Sequence, residues 1–145
     1  MTGRAVLVTG AAGGLGSAIA RRFATEGDRV CVLDIDGGAA RQMADRLPGD
    51  AVGLGASVAV PDEVEAALDH FGTPDVVVNN AGIVRFGPLA ELELDDWRAV
   101  VDVNLTGTFV VARAVARRWL ATGRPGVMVN VTSMNGVAPG PNAGA

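Results

Sequence analysis

The chain of 145 residues contains no lysine and no tyrosine, and it has a single histidine and a single cysteine. Its 12 basic residues are therefore all arginine, and with 16 acidic residues the net charge is −4. Because no basic patch stands out, the composition argues against a nucleic-acid partner or an anionic-membrane surface. The lone Cys31 excludes an internal disulfide and fits a reducing compartment, and its apolar neighbours in the chain predict an inert, buried thiol.

Long uninterrupted apolar runs are also missing, although 49% of the residues are hydrophobic. The longest apolar stretches are broken by Arg113, by Asn79 and Asn80, or by glycines, so we predict no transmembrane span. Arg4 before an apolar run could resemble a signal peptide, but a glycine turn ends that run and a helical pattern continues beyond it. We therefore expect one globular, cytoplasmic domain.

What the chain does contain is a regular alternation of short apolar runs and helical patterns. Strands are predicted at residues 4–9, 29–34, 51–54, 75–79 and 126–132. Helices are predicted at residues 15–26, 38–47, 61–71, 95–104 and 105–121, the last two forming one helix or two, and a loop from residue 136. This alternation predicts an α/β fold with a doubly wound (Rossmann) parallel sheet in the strand order 3-2-1-4-5. Ligands of such sheets bind beyond the carboxyl ends of the strands, near the switch between strands 1 and 4.

The first predicted strand ends in a glycine-rich turn, residues 9–16 (TGAAGGLG), and a helix follows at once. Strand, glycine turn and helix together place a helix N-terminus where it can bind a phosphate. An ordinary βα turn that happens to be rich in glycine is the alternative. The turn alone does not decide between the two.

Asp34 ends the second predicted strand, roughly 20 residues after the glycine turn, where an acidic side chain can bind the adenosine ribose. A carboxylate there would repel a 2′-phosphate, so NAD is favoured over NADP. Alternatively, Asp34 or Asp36 caps the next helix. Asp36 has the better position for a cap, which leaves Asp34 for the ribose.

Four motifs in order carry a resemblance to a known family: TGAAGGLG at 9–16, NNAG at 79–82, DVNL at 102–105 and VNVTS at 129–133. With these motifs the chain resembles the short-chain dehydrogenase/reductase family. The glycine turn fits both the TGxxxGxG of its simple branch and the TGxxGxxG of its extended branch. The NNAG motif is that of the simple, single-domain branch.

The resemblance implies a role for each matched residue and no metal site. Cofactor-binding residues would be Gly10, Gly13, Gly14, Leu15 and Gly16 at the pyrophosphate, Asp34 and Ile35 at the ribose, Ser57 and Val58 at the adenine, and Asn80, Ala81 and Gly82 along the cleft. Asn104 would support a proton relay and Ser133 would hydrogen-bond the substrate carbonyl oxygen, as the two catalytic residues. The alternatives are a side-chain-stabilised turn for the asparagine pair, a helix break for Asn104 and a surface hydroxyl for Ser133.

Two departures from the family pattern stand out. Ser57 occupies the position of a family Asp, so adenine would gain an uncharged hydrogen-bond partner. The family's proton donor is a Tyr with a Lys four residues later, and this sequence has neither. We expect residues 1–145 to be the N-terminal part of a single NAD(P)-binding domain, truncated before that motif and lacking the last strands.

The resemblance implies an NAD-dependent oxidoreductase that interconverts a small alcohol and a ketone, inactive in the present chain alone. The alternatives are an inactive dinucleotide-binding fragment or relic, and a structural module with an empty cleft. Full-length members of the family form homodimers or homotetramers, so the partner we expect for the full-length protein is another copy of itself.

Three further expectations concern single elements of the fold. Arg113, Arg117 and Arg118 would form a polar helix face. Trp97 would pack in the core. The fifth strand would be an apolar sheet edge that makes this chain self-associate.

Overall fold

The computed structural model describes residues 3–138. In that range five parallel strands form a sheet in the order β3-β2-β1-β4-β5. The strands are β1 (Ala5–Thr9), β2 (Arg29–Asp34), β3 (Ala51–Gly55), β4 (Val76–Asn79) and β5 (Val127–Asn130). The predicted fold class and strand order are confirmed, and each strand lies within two residues of its predicted bounds.

Helices connect the strands, as the alternating pattern predicts. They are α1 (Gly14–Thr25), α2 (Gly37–Ala44), α3 (Pro61–Phe71), α4 (Leu94–Val101) and α5 (Thr108–Thr122). A π-helical segment, Asp102–Gly107, joins α4 to α5 without a break, so the predicted pair is one continuous helical stretch. Short 3₁₀ turns lie at Leu89–Glu91 and Met134–Gly136, the second of them where the predicted tail loop begins. Most of that tail, residues 139–145, lies outside the described range.

Alternate side chains of each central strand are buried on opposite faces of the sheet. Val6 and Val8 of β1 belong to the apolar cluster that contains side chains of α1 and α2. Leu7, between them, belongs to the cluster that contains side chains of α3 and α5. Strands buried on both faces explain the continuous apolar runs, and the result is three layers with the sheet in the middle.

An ionic cluster ties the strands together at the amino edge of the sheet. Asp28 is only 6% exposed and accepts hydrogen bonds from the backbone N–H and the guanidinium of Arg4, the shortest at 2.6 Å. Those hydrogen bonds lower the pKa of Asp28, against the desolvation that raises it. Asp75 in turn accepts from the Ala5 N–H at 2.8 Å and from Arg124 at 2.7 Å. The entries to β1, β2 and β4 are thus linked through carboxylates.

Two predictions about the last long helix need correction. Trp97 is 47% exposed, so it is not a core residue. By length and composition alone, the continuous helix Leu94–Thr122 could cross a membrane, contrary to our prediction that no segment could. One such helix is weak evidence for a membrane span; 28% of its apolar 18-residue stretch is buried, and Val111 and Val115 of α5 lie in the core cluster.

The predicted arginine face of α5 also carries a contact that the sequence pattern did not reveal. Arg113 and Arg117 are exposed, but Arg118 reaches α3, where it pairs with Glu65 at 2.8 Å and Asp69 at 2.6 Å. Burial lowers the pKa of Arg118, and the two carboxylates more than offset that effect, so its pKa is raised. The pairing fixes α5 against α3 on one side of the sheet.

Candidate functional site

A cavity of about 420 Å³ opens at the carboxyl edge of the sheet, where β1 and β4 are neighbours and their connections diverge. Eleven of the twelve predicted cofactor-binding residues line it, namely Gly10, Gly13, Leu15, Gly16, Asp34, Ile35, Ser57, Val58, Asn80, Ala81 and Gly82. Gly14 does not. Four residues that sequence reasoning missed complete the wall: Leu33, Ala56, Ile83 and Val103. They are apolar residues beside the motifs or, for Val103, within the DVNL motif, with no chemical signature of their own.

Close packing accounts for two glycines of the turn. Gly10 has φ +62°, and a Cβ there would lie 2.8 Å from the Cα of Ala81. A Cβ on Gly16 would collide with the Gly10 carbonyl and the Asn80 amide. Gly10 therefore lets the turn and the β4 exit meet backbone to backbone, and Gly16 leaves room for the Gly10 carbonyl and the Asn80 side chain. Gly14, with φ +53°, serves the turn conformation.

Gly13 has no such structural reason to be glycine. Its backbone is extended (φ −156°), and a Cβ there would meet nothing within 4 Å. It precedes α1, whose N-terminus has no side-chain cap and no acidic residue in its first turn. An open N-terminus beside a residue without a side chain fits an anionic group such as a pyrophosphate.

Asn80 holds the glycine turn in place. Its side-chain amide donates to the carbonyl oxygens of Thr9 at 2.9 Å and Gly10 at 3.1 Å. Thr9, which is 1% exposed, accepts with its hydroxyl from the N–H groups of Asn80 and Ala81, both at 3.0 Å. The amide of Asn80 is therefore engaged by protein, and it borders the cavity as part of the frame. Thr9 is a second framing residue, which sequence reasoning had treated only as part of the motif.

The first asparagine of the NNAG motif points into the sheet. Asn79 is 4% exposed and its amide nitrogen donates to the Asn130 oxygen across the β4–β5 pair at 2.9 Å. Its own side-chain oxygen is buried without a partner among the described residues. Asn79 thus fixes the end of β5 rather than touching the cavity.

Asp34, the last residue of β2, lines the cavity. Its carboxylate accepts from the Ala12 N–H at 3.0 Å and the Asp36 N–H at 3.2 Å, which orient it. The helix cap is Asp36, which accepts from the N–H groups of Gly38 and Ala39. The structure therefore separates the two acidic residues as predicted: Asp36 caps α2, and Asp34 lines the cavity.

The loop after β3 forms another part of the wall. Ser57 donates its N–H to Glu63 on α3 at 2.7 Å, which anchors the loop. The Val58 side chain beside it is 8% exposed and belongs to the core cluster as well as to the cavity wall. Ser57 thus offers a hydroxyl, and no carboxylate lines this part of the cavity.

A second depression of about 680 Å³ adjoins the first and shares the residues 80–83 with it. Both predicted catalytic residues, Asn104 and Ser133, line it, together with Thr108 and Thr132. Asn104 sits in the π-helical segment, and its side chain pairs with both backbone groups of Ile83, each at 2.8 Å. Its own carbonyl oxygen accepts from the Thr108 hydroxyl at 2.9 Å. Ser133 lies just beyond β5, where its hydroxyl oxygen accepts from the Asn135 N–H at 3.2 Å.

The two depressions together form a long cleft along the carboxyl edge. The first contains the anion-compatible glycine turn and the Asp34 carboxylate, and the second contains the polar residues Asn104 and Ser133. This arrangement on a 3-2-1-4-5 parallel sheet defines a Rossmann-type α/β protein.

Residues 4–145 match the family described as short chain dehydrogenase, and the chain belongs to that family. It is 41% identical over 140 residues to D-threitol dehydrogenase of Mycolicibacterium smegmatis, covering 92% of this chain and 54% of that protein. It is 38% identical over 149 residues to 3-oxoacyl-[acyl-carrier-protein] reductase of a Synechocystis species, covering 97% and 60%.

Among solved structures, the fold matches 3-ketoacyl-(acyl-carrier-protein) reductase from Brucella melitensis complexed with NADH, with a TM-score of 0.88 and 32% identity. The match covers 97% of this chain and 61% of that one. The chain thus spans between half and two thirds of the length of these three proteins.

Proposed function

We propose that this chain forms the dinucleotide-binding part of an NAD-dependent oxidoreductase that transfers a hydride between the cofactor and a small alcohol or ketone. The observation that carries the proposal is the cavity at the carboxyl edge, which joins the uncapped N-terminus of α1 to the Asp34 carboxylate. The complex of the Brucella reductase with NADH supports it by analogy.

In this proposal each wall of the cavity binds one part of NAD. Backbone N–H groups of the glycine turn hold the pyrophosphate, with Gly13 leaving room for it. Asp34 accepts hydrogen bonds from the adenosine ribose, and Ser57 and Val58 face the adenine. When bound, the nicotinamide ring accepts or donates the hydride.

The second depression is the place we propose for the substrate. The Ser133 hydroxyl donates to the substrate oxygen, much as an oxyanion donor does. Asn104 holds the loop at Ile83, and its backbone carbonyl, which accepts from the Thr108 hydroxyl, would support a proton relay. The 145 residues include no tyrosine or lysine, so we expect this chain alone to bind NAD without turnover. An in-frame Tyr-x-x-x-Lys in the coding sequence after Ala145 would support the enzyme, and its absence would support the alternative of an inactive binding fragment.

Titration calorimetry of this chain with NAD tests binding directly. We expect heat of binding at millimolar NAD or below, and no detectable heat would favour the empty structural module. The matched variant is Gly13→Asp, because aspartate is a good helix cap and an anion that repels pyrophosphate. We expect Gly13→Asp to unfold at an equal or higher temperature and to lose NAD binding. The control, Gly87→Ala, adds a methyl group in open space and should bind as the unchanged chain does.

The compartment, substrate class and assembly belong to the same proposal. The expected compartment is the cytoplasm, with no nucleic-acid or membrane partner. A homo-oligomer of the full-length protein is supported by large apolar side chains left exposed on the continuous helix, among them Leu105 (68%) and Phe109 (62%).

A further inference from the structure

Gly107 is buried at the end of the π-helical segment, and its backbone does not require glycine. Its φ and ψ are −62° and −43°, which are ordinary helical values. Glycine in such a conformation is about 1 kcal/mol less favourable than alanine in a helix. A contact made by this position must therefore account for the missing side chain.

That contact is with Val58. A Cβ on Gly107 would lie 2.6 Å from Cγ2 and 3.2 Å from Cβ of Val58, and 3.3 Å from the Asp102 carbonyl oxygen. Cβ atoms do not approach other carbon atoms to 2.6 Å, so alanine here would displace the valine or the helix. The two segments meet only because one of them lacks a side chain.

Val58 transmits this contact to the cavity. Its side chain lines the cavity on one side and packs in the core cluster with Val111 of α5 on the other. Val103, four residues before Gly107 in the same π-helical segment, lines the cavity too. The position of the π-helical segment therefore determines where the Val58 and Val103 side chains lie in the cavity wall.

We propose that Gly107 is a positioning residue for the nucleotide, because its missing side chain lets the π-helical segment hold Val58 at the cavity wall. This inference rests on the proposed function, since it assumes that the cavity binds NAD. Gly107 touches no ligand in this proposal and acts through Val58.

The test compares Gly107→Ala with the control Gly87→Ala, whose added methyl group meets nothing within 4 Å. We expect the first variant to bind NAD about tenfold more weakly, in line with the usual cost of overpacking. The control should bind as the unchanged chain does. Calorimetry gives the affinities, and thermal unfolding reports whether each variant is folded.

The second variant, Gly107→Ala with Val58→Ala, separates positioning from general damage. Removing the Val58 methyl groups makes room for the new Cβ, so we expect the double variant to fold and to bind NAD as tightly as Val58→Ala alone. An additive loss in the double variant, or a double variant that does not fold, would overturn the inference.

Two negative results have different meanings. Equal NAD affinity of Gly107→Ala and the unchanged chain would overturn the role of Gly107 and leave the proposed function standing. Failure of the unchanged chain to bind NAD would overturn the proposed function, and the positioning role would fall with it.

Discussion

At the scale of single residues, neighbouring side chains of the same type have different tasks. Asp34 and Asp36 are two positions apart, yet one lines the cavity and the other caps α2. Asn79 and Asn80 are adjacent, yet one pairs with Asn130 inside the sheet and the other holds the glycine turn. The chemical type of a residue therefore predicts its role only when the direction of its side chain is also known.

The pair of aspartates offers a matched test of cofactor choice. Asp34→Asn removes the charge that repels a 2′-phosphate, so we expect weaker NAD binding and stronger NADP binding, each by about tenfold. Asp36→Asn removes the same charge without touching the cavity and should leave the ratio of the two affinities unchanged. Calorimetric titration of both variants with both cofactors measures that ratio. A similar ratio in the two variants would contradict the role of Asp34.

The Arg4–Asp28 pair predicts a pH-dependent contribution to stability. The folded-state pKa of Asp28 is lowered, so its contribution is present above the unfolded pKa near 4 and is lost as the pH falls through the folded value. We expect Asp28→Asn to cost about 2 kcal/mol of unfolding free energy at pH 7. Urea unfolding at pH 7 and pH 3 measures this difference, which should shrink at the lower pH. A difference that does not change with pH would contradict the ion-pair explanation.

At the scale of secondary-structure elements, the two sides of the molecule differ in how completely they are covered. β1, β2 and β4 are buried on both faces, and α3 is held to α5 through Arg118. On β5, by contrast, Val127 is 58% exposed and Val129 is 47% exposed. Within residues 3–138 no strand pairs with the outer edge of β5. An uncovered apolar edge is a template for pairing with another chain.

We therefore expect this chain to self-associate through β5. Val129→Lys places a charge on the edge and should raise the monomer fraction seen in sedimentation velocity. Val60→Lys is the control, because Val60 has a similar exposure of 40% and lies outside the sheet. A monodisperse monomer formed by the unchanged chain, with cooperative thermal unfolding, would contradict this prediction.

At the scale of the whole molecule, one thiol lies in the middle of the core. Cys31 on β2 is fully buried, and desolvation by burial raises its pKa to about 12. Thiol reagents attack the thiolate, so the folded protein should react only when it opens. Since the chain has a single cysteine, the rate of labelling reports on the opening of the sheet.

A pair of leucine substitutions calibrates that measurement. Leu68→Ala leaves a cavity in the core under α3, costs about 3 kcal/mol and should speed labelling by about a hundredfold if opening is global. Leu120→Ala, at a position that is 83% exposed, should have little effect. Labelling by a thiol reagent at pH 8 gives both rates. Fast labelling of the unchanged chain would contradict a tightly closed core.

The linear pattern of the sequence was enough for the features that depend on local chemistry. The alternation of apolar runs and helical patterns predicts the sheet and its order, because strands buried on both faces must be continuous and apolar. The cap at Asp36 and the start of α3 at Pro61 follow from preferences that act within one turn of helix. Eleven of the twelve cofactor-binding residues predicted from the family resemblance line one cavity. They do so because they lie at or just after the carboxyl ends of β1 to β4, which meet at one edge of the parallel sheet.

Only the tertiary structure decided the features that depend on contacts between distant segments. The exposure of Trp97 could not be predicted, because helical spacing does not indicate which side of a helix another element covers. The engaged amide of Asn80 and the meeting of Gly107 with Val58 join residues that lie 49 or more positions apart in the chain. The glycine turn likewise owes Gly10 to the approach of Ala81 after β4, and Gly16 in part to the amide of Asn80, neither of which the turn sequence contains. A sequence pattern records what each segment prefers, whereas the fold determines which segments touch.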